Sequence, residues 1–160
     1  MLLAAGVISD QPAIDFGTFD VPPERIATVA KVQGATPFGN GIPLGAATWQ
    51  QSLDPADHLP FGISFTDLLD GTETIASVPR LAISSAGAAL GLTIDAGGVT
   101  APIIDNAGAL RLQLWLSVLT DAQTTPLFDG AGVRVAIATR IMTTKARTFD
   151  RTCVLTVRQQ

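Results

Sequence analysis

The one histidine of this 160-residue chain closely follows two carboxylates, where acid–base chemistry or metal binding is conceivable. His58 follows Asp54 and Asp57, and such a group can act as an acid–base pair or ligate a metal ion. Pro55 and Pro60 flank the same stretch, a spacing typical of a turn. A metal site would need a third ligand, which could only be another carboxylate. We predict a structural turn, with a metal site and a catalytic pair as the alternatives.

The other residue types that carry chemistry show no recognisable pattern. No serine lies in a G-x-S-x-G motif, and the glycines of residues 87–98 precede no Lys-Ser/Thr pair. Cys153 is the single cysteine and alternates with polar neighbours, which is typical of a small buried apolar residue. Any two of the fourteen acidic residues can meet in space, but nothing selects a pair. We therefore predict no catalytic residue, no metal site and no cofactor, and expect a protein that is not an enzyme.

The charge content is low and unevenly distributed. Charged residues make up 15% of the chain, against roughly 25% in ordinary soluble domains. Residues 1–73 hold nine acidic and two basic residues, whereas residues 74–160 hold eight basic and five acidic ones. Such asymmetry fits contacts within the fold or head-to-tail contacts between copies of an oligomer. The basic residues alternate with apolar ones, so we expect no nucleic-acid partner.

The hydropathy pattern predicts neither a membrane span nor a secretory leader. The longest uncharged stretch, residues 32–53, is interrupted by Pro37 and Pro43. The first basic residue is Arg25, so the basic start of a signal peptide is missing. We expect a protein made in a cytoplasm, with no membrane as a partner.

Residues 1–47 differ from the rest of the chain. Proline and glycine interrupt them repeatedly, and no strand or helix period persists. They nevertheless carry apolar side chains that require burial, among them Phe16, Phe19 and Phe38. We predict an extended N-terminal arm whose phenylalanines anchor it on a partner. The alternative is a loop-rich strand layer that packs on its own domain.

Residues 48–160 alternate between apolar and polar positions, as half-buried strands do. The clearest strand is Leu110 to Val118, and Pro79 places its strand at a sheet edge or a bulge. The pattern predicts an all-β fold, an immunoglobulin-like antiparallel β-sandwich of about seven strands. A jelly roll is the competing topology. Trp115 is on the polar face of its strand, where it is either an interface anchor or a cover for a sheet buried on both sides.

Residues 48–158 resemble a family of small tailed-bacteriophage virion proteins. The resemblance is carried by Trp49-Gln50-Gln51-Ser52-Leu53-Asp54-Pro55-Ala56-Asp57, Phe61-Gly62-Ile63-Ser64-Phe65, Gly71-Thr72-Glu73-Thr74-Ile75, and Thr143-Thr144-Lys145-Ala146-Arg147-Thr148 followed by Leu155-Thr156-Val157-Arg158. The chain departs from the family pattern at Ala146, where a glycine is usual, and in the loop of residues 121–132. The N-terminal 45 residues are also additional to the shorter family members.

The resemblance implies an immunoglobulin-like structural component of a virion, made in a host bacterial cytoplasm. Its partners would be other virion proteins of the capsid, neck, tail or fibre, in a symmetric assembly. The hairpin of residues 143–151 is polar and lies at a sandwich end, so Arg147 and Arg151 join the phenylalanines and Trp115 as predicted partner-binding residues. The alternative function is a receptor- or carbohydrate-binding sandwich on a particle or cell surface.

Overall fold

Short apolar stretches form β-strands throughout the part of the chain that the structure describes. The structure is a computed structural model that describes residues 13–33, 42–43 and 45–160. In these ranges lie ten strands and one α-helix: β1 (Asp15–Gly17), β2 (Ile26–Thr28), β3 (Ala47–Thr48), β4 (Leu59–Ser64), β5 (Ile75–Ile83), α1 (Ser85–Ala89), β6 (Leu92–Ile94), β7 (Ile103–Asp105), β8 (Arg111–Val118), β9 (Val133–Thr143) and β10 (Thr148–Val157). Four short 3-10 turns complete them: Pro23–Arg25, Gly98–Thr100, Thr120–Ala122 and Pro126–Phe128. None of the described helices is long and apolar enough to cross a membrane.

The strands form two sheets. The first has the order β3-β10-β9-β5 and is built on the long β9–β10 hairpin, which is paired from Val133↔Val157 to Met142↔Thr148. The second has the order β1-β7-β8-β4-β2, and β6 pairs with β8 beside this path. The buried residues of both sheets form one hydrophobic core that includes Phe61, Leu114, Ile137 and Leu155. Strand alternation creates this core, because every second side chain points to the same face.

The all-β prediction is confirmed, but the sheets are mixed. β1, β2 and β3 pair in parallel with β7, β4 and β10. These three strands have only two or three residues each, too few to show a period in the sequence. They pair in parallel at the sheet edges, whereas the antiparallel prediction came from the alternation of apolar and polar positions in the longer strands. The structure therefore has more than seven strands, and the immunoglobulin-like topology stays a prediction.

Pro79 lies on an edge strand next to an irregularity in the strand pairing, as the sequence predicts. β5 is an edge strand of the four-stranded sheet. Its register with β9 shifts between the pair Arg80↔Arg140 and the pair Ser77↔Met142. Proline has no amide hydrogen to donate to a neighbouring strand, so it is confined to such edges and bulges.

Part of the predicted arm belongs to the sandwich itself. β1 and β2 extend the six-stranded sheet at its two edges, and Ala27 and Val29 are buried in the core. The Arg151 Nε donates a hydrogen bond of 2.9 Å to the Ala30 carbonyl oxygen. For residues 13–33 the alternative interpretation, a strand layer on its own domain, therefore holds, because the sheet edges and the core offer these apolar residues burial. Residues 1–12, 34–41 and 44 lie outside the described residues.

Candidate functional site

A buried carboxylate joins two distant parts of the chain at one end of the sandwich. Glu73 precedes β5, and its side chain is fully buried. The Thr143 hydroxyl donates to Glu73 Oε2 at 2.5 Å, and Arg147 Nε donates to the same oxygen at 2.9 Å. Arg147 Nη2 donates to Glu73 Oε1 and, at 3.3 Å, to Asp70 Oδ2. We call Asp70, Glu73, Thr143 and Arg147 the Glu73 cluster.

The hydrogen bonds of the Glu73 cluster favour the charged forms of Glu73 and Arg147. Hydrogen bonding from Arg147 lowers the pKa of Glu73 to about 2, against the opposing effect of burial. The same bond raises the pKa of Arg147 above its ordinary value. A carboxylate with a depressed pKa and donors on both oxygens is a weak general base. The arrangement is suited to a structural role, in which it holds the β9–β10 turn against the loop before β5.

Backbone contacts add to this connection. Thr144 N donates to the Thr74 carbonyl oxygen at 2.9 Å, and Thr74 N donates to Thr144 Oγ1 at 3.1 Å. The turn itself is closed by a 2.8 Å bond from Thr143 N to the Arg147 carbonyl oxygen. The two segments, about 70 residues apart, are two of those that carry the virion-family resemblance. The structure brings them together as one unit.

Ala146 in this turn has a backbone conformation that favours glycine. Its φ is +60°, in the left-handed region, where a β-carbon costs roughly 1 kcal/mol. We expect Ala146→Gly to raise the free energy of unfolding by about 0.5 kcal/mol, since the entropy of a glycine in the unfolded chain offsets part of the gain. Chemical denaturation measures this change.

Ala109 provides the comparison for that substitution. It also has a positive φ, of 55°, but it packs against the core. Ala109→Gly relieves the same strain and loses methyl packing, so its gain is smaller or absent. A loss of stability in Ala146→Gly would contradict the strain argument.

His58 belongs to a second polar group, on the six-stranded sheet. Its Nε2 lies 2.6 Å from Asp95 Oδ2, and its ring centroid lies 5.0 Å from that of Trp115. The Thr100 hydroxyl donates to the same Asp95 oxygen at 2.6 Å. The threonine thus bonds the carboxylate and not the imidazole, and the arrangement is not a nucleophile–base relay.

The turn that precedes His58 forms as the sequence predicts. Asp54 Oδ1 accepts a bond from Ala56 N at 2.8 Å, and the Asp54 carbonyl oxygen accepts one from Asp57 N at 2.9 Å. The histidine's partner, Asp95, is 37 residues away, and no local pattern indicates it. Among the described residues, no group of three His, Cys, Asp or Glu side chains could hold a metal ion.

Two of the three predicted phenylalanine anchors can be placed. Phe16, on β1, is 52% exposed and available to a partner. Phe19 is half-buried, with the Arg111 guanidinium carbon 3.9 Å from its ring centroid. Its ring also occupies the space where a side chain on Gly62 would lie. Phe19 therefore packs within its own domain, and Phe38 lies outside the described residues.

The remaining predicted partner-binding residues have intramolecular contacts. Trp115 is half-buried against His58, and Arg147 belongs to the Glu73 cluster. Arg151 donates to the carbonyl oxygens of Ala30 and Lys31, and burial lowers its pKa. These residues lie on different elements, so the structure does not combine the described candidates into one site. The sequence could not show their contacts, because each partner is distant along the chain.

The described residues form a two-sheet all-β domain, with the Glu73 cluster at one end and the His58–Asp95 pair on the six-stranded sheet. Comparisons with protein-family models, with curated proteins and with solved structures found no match. Any functional assignment therefore depends on the residues and their contacts.

Proposed function

We propose that this chain is a structural, non-enzymatic component of a tailed-bacteriophage virion that joins or reinforces other particle proteins. It would act as a fibre or tail adaptor or as a capsid decoration protein, on an immunoglobulin-like sandwich. The observation that carries the proposal is the Glu73 cluster. Two of the segments that resemble the virion family meet there, in a contact that links the turn before β5 to the β9–β10 turn.

The cluster supports the proposal because two segments that carry the resemblance, distant in sequence, are in direct side-chain contact in the fold. Glu73 and Arg147 are 74 positions apart, yet their side chains form a two-point contact. Bidentate arginine–carboxylate pairs fix orientation as well as distance. A rigid sandwich end is suited to transmitting load between neighbours, which is what an adaptor or decoration protein does.

The surface is consistent with a protein that is bounded by neighbours. Large apolar side chains are exposed at several edges and loops: Phe16, Val32, Val99, Leu119, Leu127 and Met142. Isolated exposed apolar residues are common in soluble proteins. Together with the low charge content, they offer several small contact points to virion partners or to further copies of the chain.

The test is whether the chain is a constituent of particles. We expect the epitope-tagged protein, expressed from its own genome, to sediment with density-purified virions at a fixed ratio to the major capsid protein. Quantitative mass spectrometry of the particle band measures that ratio, and an abundant host cytoplasmic protein should be lost from the same band. Absence from the band would overturn the proposal. Saturable binding on a glycan array, combined with that absence, would favour the carbohydrate-binding alternative.

Deletion of the whole N-terminal region is not a suitable test of attachment. Such a deletion removes β1 and β2, together with the core residues Ala27 and Val29. Loss of particle association would then reflect loss of the fold. Point substitutions on exposed side chains avoid this ambiguity, and Leu127→Asp is one example, because Leu127 is 59% exposed.

A further inference from the structure

The outer face of the four-stranded sheet carries exposed arginines. Arg80 of β5 lies directly opposite Arg140 of β9, and Arg140 lies opposite Asp150 of β10. Arg134 points to the same side as Arg140, because every second side chain of a strand shares a face, and the alternate Ile137 lies in the core. All three arginines and the aspartate are exposed. We call Arg80, Arg134, Arg140 and Asp150 the basic face.

The basic face has more positive charge than its own carboxylate can neutralise. Arg140 makes a two-point contact with Asp150, at 2.7 Å and 2.9 Å. Arg140, and to a smaller extent Arg80, lower the pKa of this aspartate. Among the described residues, neither Arg80 nor Arg134 has an ion pair of its own. Like charges on directly opposed strand positions are destabilising, so a carboxylate from outside the domain would stabilise the Arg80–Arg140 pair.

The outer face of the six-stranded sheet carries the opposite charge. Asp15 of β1 pairs with Ile103, which pairs with Gln113 of β8, so these side chains share the outer face. Asp20 lies over the same face, because its backbone N donates to Gln113 Oε1 at 2.7 Å. Both aspartates are exposed and form no ion pair within the described part of the chain. We call this surface the acidic face.

The basic side chains at the acidic face are already bound within the domain. Arg111 pairs with the buried Asp105 at 2.7 Å. Arg25 Nε donates to a backbone carbonyl oxygen at 2.8 Å, and His58 lies 2.6 Å from Asp95. Together with the two exposed aspartates, this face therefore holds four aspartates against two arginines.

A cavity opens at the rim of the acidic face, between the edge strands β1 and β5. Its volume is about 290 Å³, and Asp15 and Asp95 are among its lining residues. The opposite side of the sandwich is closed by Trp49, which is 2% exposed and donates from Nε1 to the Gly62 carbonyl oxygen at 2.8 Å. A concave opening bordered by two carboxylates is suited to a guanidinium, whose planar donors match carboxylate oxygens.

We propose that copies of this chain associate face to face, with the basic face of one copy on the acidic face of the next. The two faces lie on opposite sides of the sandwich, so each copy in a pair keeps one face free. Contacts between unlike faces are therefore head-to-tail, and they repeat into a ring or an open row. The pairing of two like faces brings charges of one sign together and is unfavourable.

A single contact of this kind is expected to be weak. A flat face of about four strands, spaced about 4.8 Å apart and about eight residues long, presents on the order of 500 Å². A standard stable interface buries about 800 Å² on each partner. The contact is therefore favoured at low ionic strength and wherever many copies are held close together. It is a property of the purified chain and does not depend on membership of a virion.

The test is sedimentation velocity of the purified full-length chain over a series of concentrations. We expect the mean sedimentation coefficient to rise with concentration at about 0.01 M salt, where the Debye length is about 30 Å. Association should weaken roughly tenfold or more at about 0.15 M salt, where that length is about 8 Å. The salt dependence distinguishes this contact from apolar association.

Neutral substitutions on each face separate the pairing of unlike faces from other modes. Arg80→Gln with Arg134→Gln removes two charges from the basic face, and Asp15→Asn with Asp20→Asn removes two from the acidic face. Either variant alone should associate roughly tenfold or more weakly than the wild type. An equimolar mixture should form a 1:1 pair that does not grow, because each variant retains the face that the other has lost.

The control removes the same charge elsewhere. Asp67→Asn with Asp121→Asn changes two exposed loop aspartates and gives the same net charge as the variant of the acidic face. It should associate as the wild type does, and circular dichroism checks that all variants fold.

Several results would overturn the proposal. A wild type that stays monomeric at low salt would exclude the contact, as would single-face variants that associate like the control. A mixture no larger than either variant alone would exclude the pairing of unlike faces. Binding to duplex DNA without self-association, lost in the arginine variant, would assign the basic face to a nucleic acid instead.

Discussion

Replacing Glu73 by glutamine is expected to lower the melting temperature of this protein by roughly 10 °C. Glutamine has nearly the same shape, but one of the two carboxylate oxygens is replaced by an amide nitrogen, which can only donate. Both oxygens of Glu73 accept bonds, from Thr143 and from Arg147. The amide must therefore face a donor, and the Arg147 guanidinium loses its buried counter-charge.

Matched variants separate this contact from surface electrostatics. Arg147 also approaches Asp70, whose side chain is 57% exposed. Asp70→Asn should change the melting temperature by no more than about 1–2 °C, as is usual for exposed pairs. A double-mutant cycle between Glu73→Gln and Arg147→Met should show strong non-additivity. Additive effects would mean that the two side chains act independently, contrary to the geometry.

The Glu73 cluster also gives a pH signature. The pKa of Glu73 is lowered from its ordinary 4.5 to about 2 in the folded protein. Its contribution to stability is therefore complete above pH 4.5 and is lost as the pH falls toward 2. The stability difference between the wild type and Glu73→Gln should shrink over this range. Asp150, whose pKa is lowered by Arg140, also makes the stability fall at low pH. This loss occurs in the wild type and in Glu73→Gln alike, so it does not change the difference between them.

The two tryptophans are expected to respond oppositely to phenylalanine. Trp49→Phe should destabilise the protein by about 3 kcal/mol, because the smaller ring leaves a buried cavity and the Gly62 carbonyl oxygen loses its donor. Trp49 also packs edge-on against Phe61, with ring centroids 5.6 Å apart. Its loss opens the side of the sandwich that it closes.

Trp115→Phe should leave stability unchanged or raise it by up to about 1 kcal/mol. Within the described part of the chain, the Trp115 Nε1 is buried without a hydrogen-bond partner. Phenylalanine removes that unsatisfied donor and retains an aromatic ring against His58. Denaturant unfolding followed by circular dichroism compares the variants without relying on tryptophan fluorescence. Equal losses in both variants would show that Trp115 has a partner of its own.

Several features of the fold could be predicted from local patterns. Alternation in residues 110–118 and 133–141 predicts half-buried strands, and β8 and β9 occupy these positions. Pro79 predicts an edge or a bulge and has both. The spacing around Asp54 predicts the turn that its side chain stabilises. These properties depend on neighbouring residues alone, through side-chain direction, missing donors and local hydrogen bonds.

The contacts of the predicted site residues could not be predicted from local patterns. The sequence predicts that Arg147 and Arg151 bind partners, because polar turns at sandwich ends are often free, and this stays a prediction. The structure adds contacts that the sequence does not indicate: Arg147 binds Glu73, and Arg151 binds the Ala30 carbonyl oxygen. Both arginines satisfy buried or half-buried acceptors that are distant along the chain. A charged residue in a turn has the same local sequence signal in either role.

The sequence by itself determined the class of fold, because alternation and turn residues act over a few positions. Only the tertiary structure decided that Glu73 is buried, that β1 and β2 join the six-stranded sheet, and that one side of the sandwich retains a cavity. These outcomes depend on which sheet edges meet and which acceptors lie within reach of a guanidinium. Such contacts join residues tens of positions apart, and their free energy depends on burial that exists only once both sheets are packed.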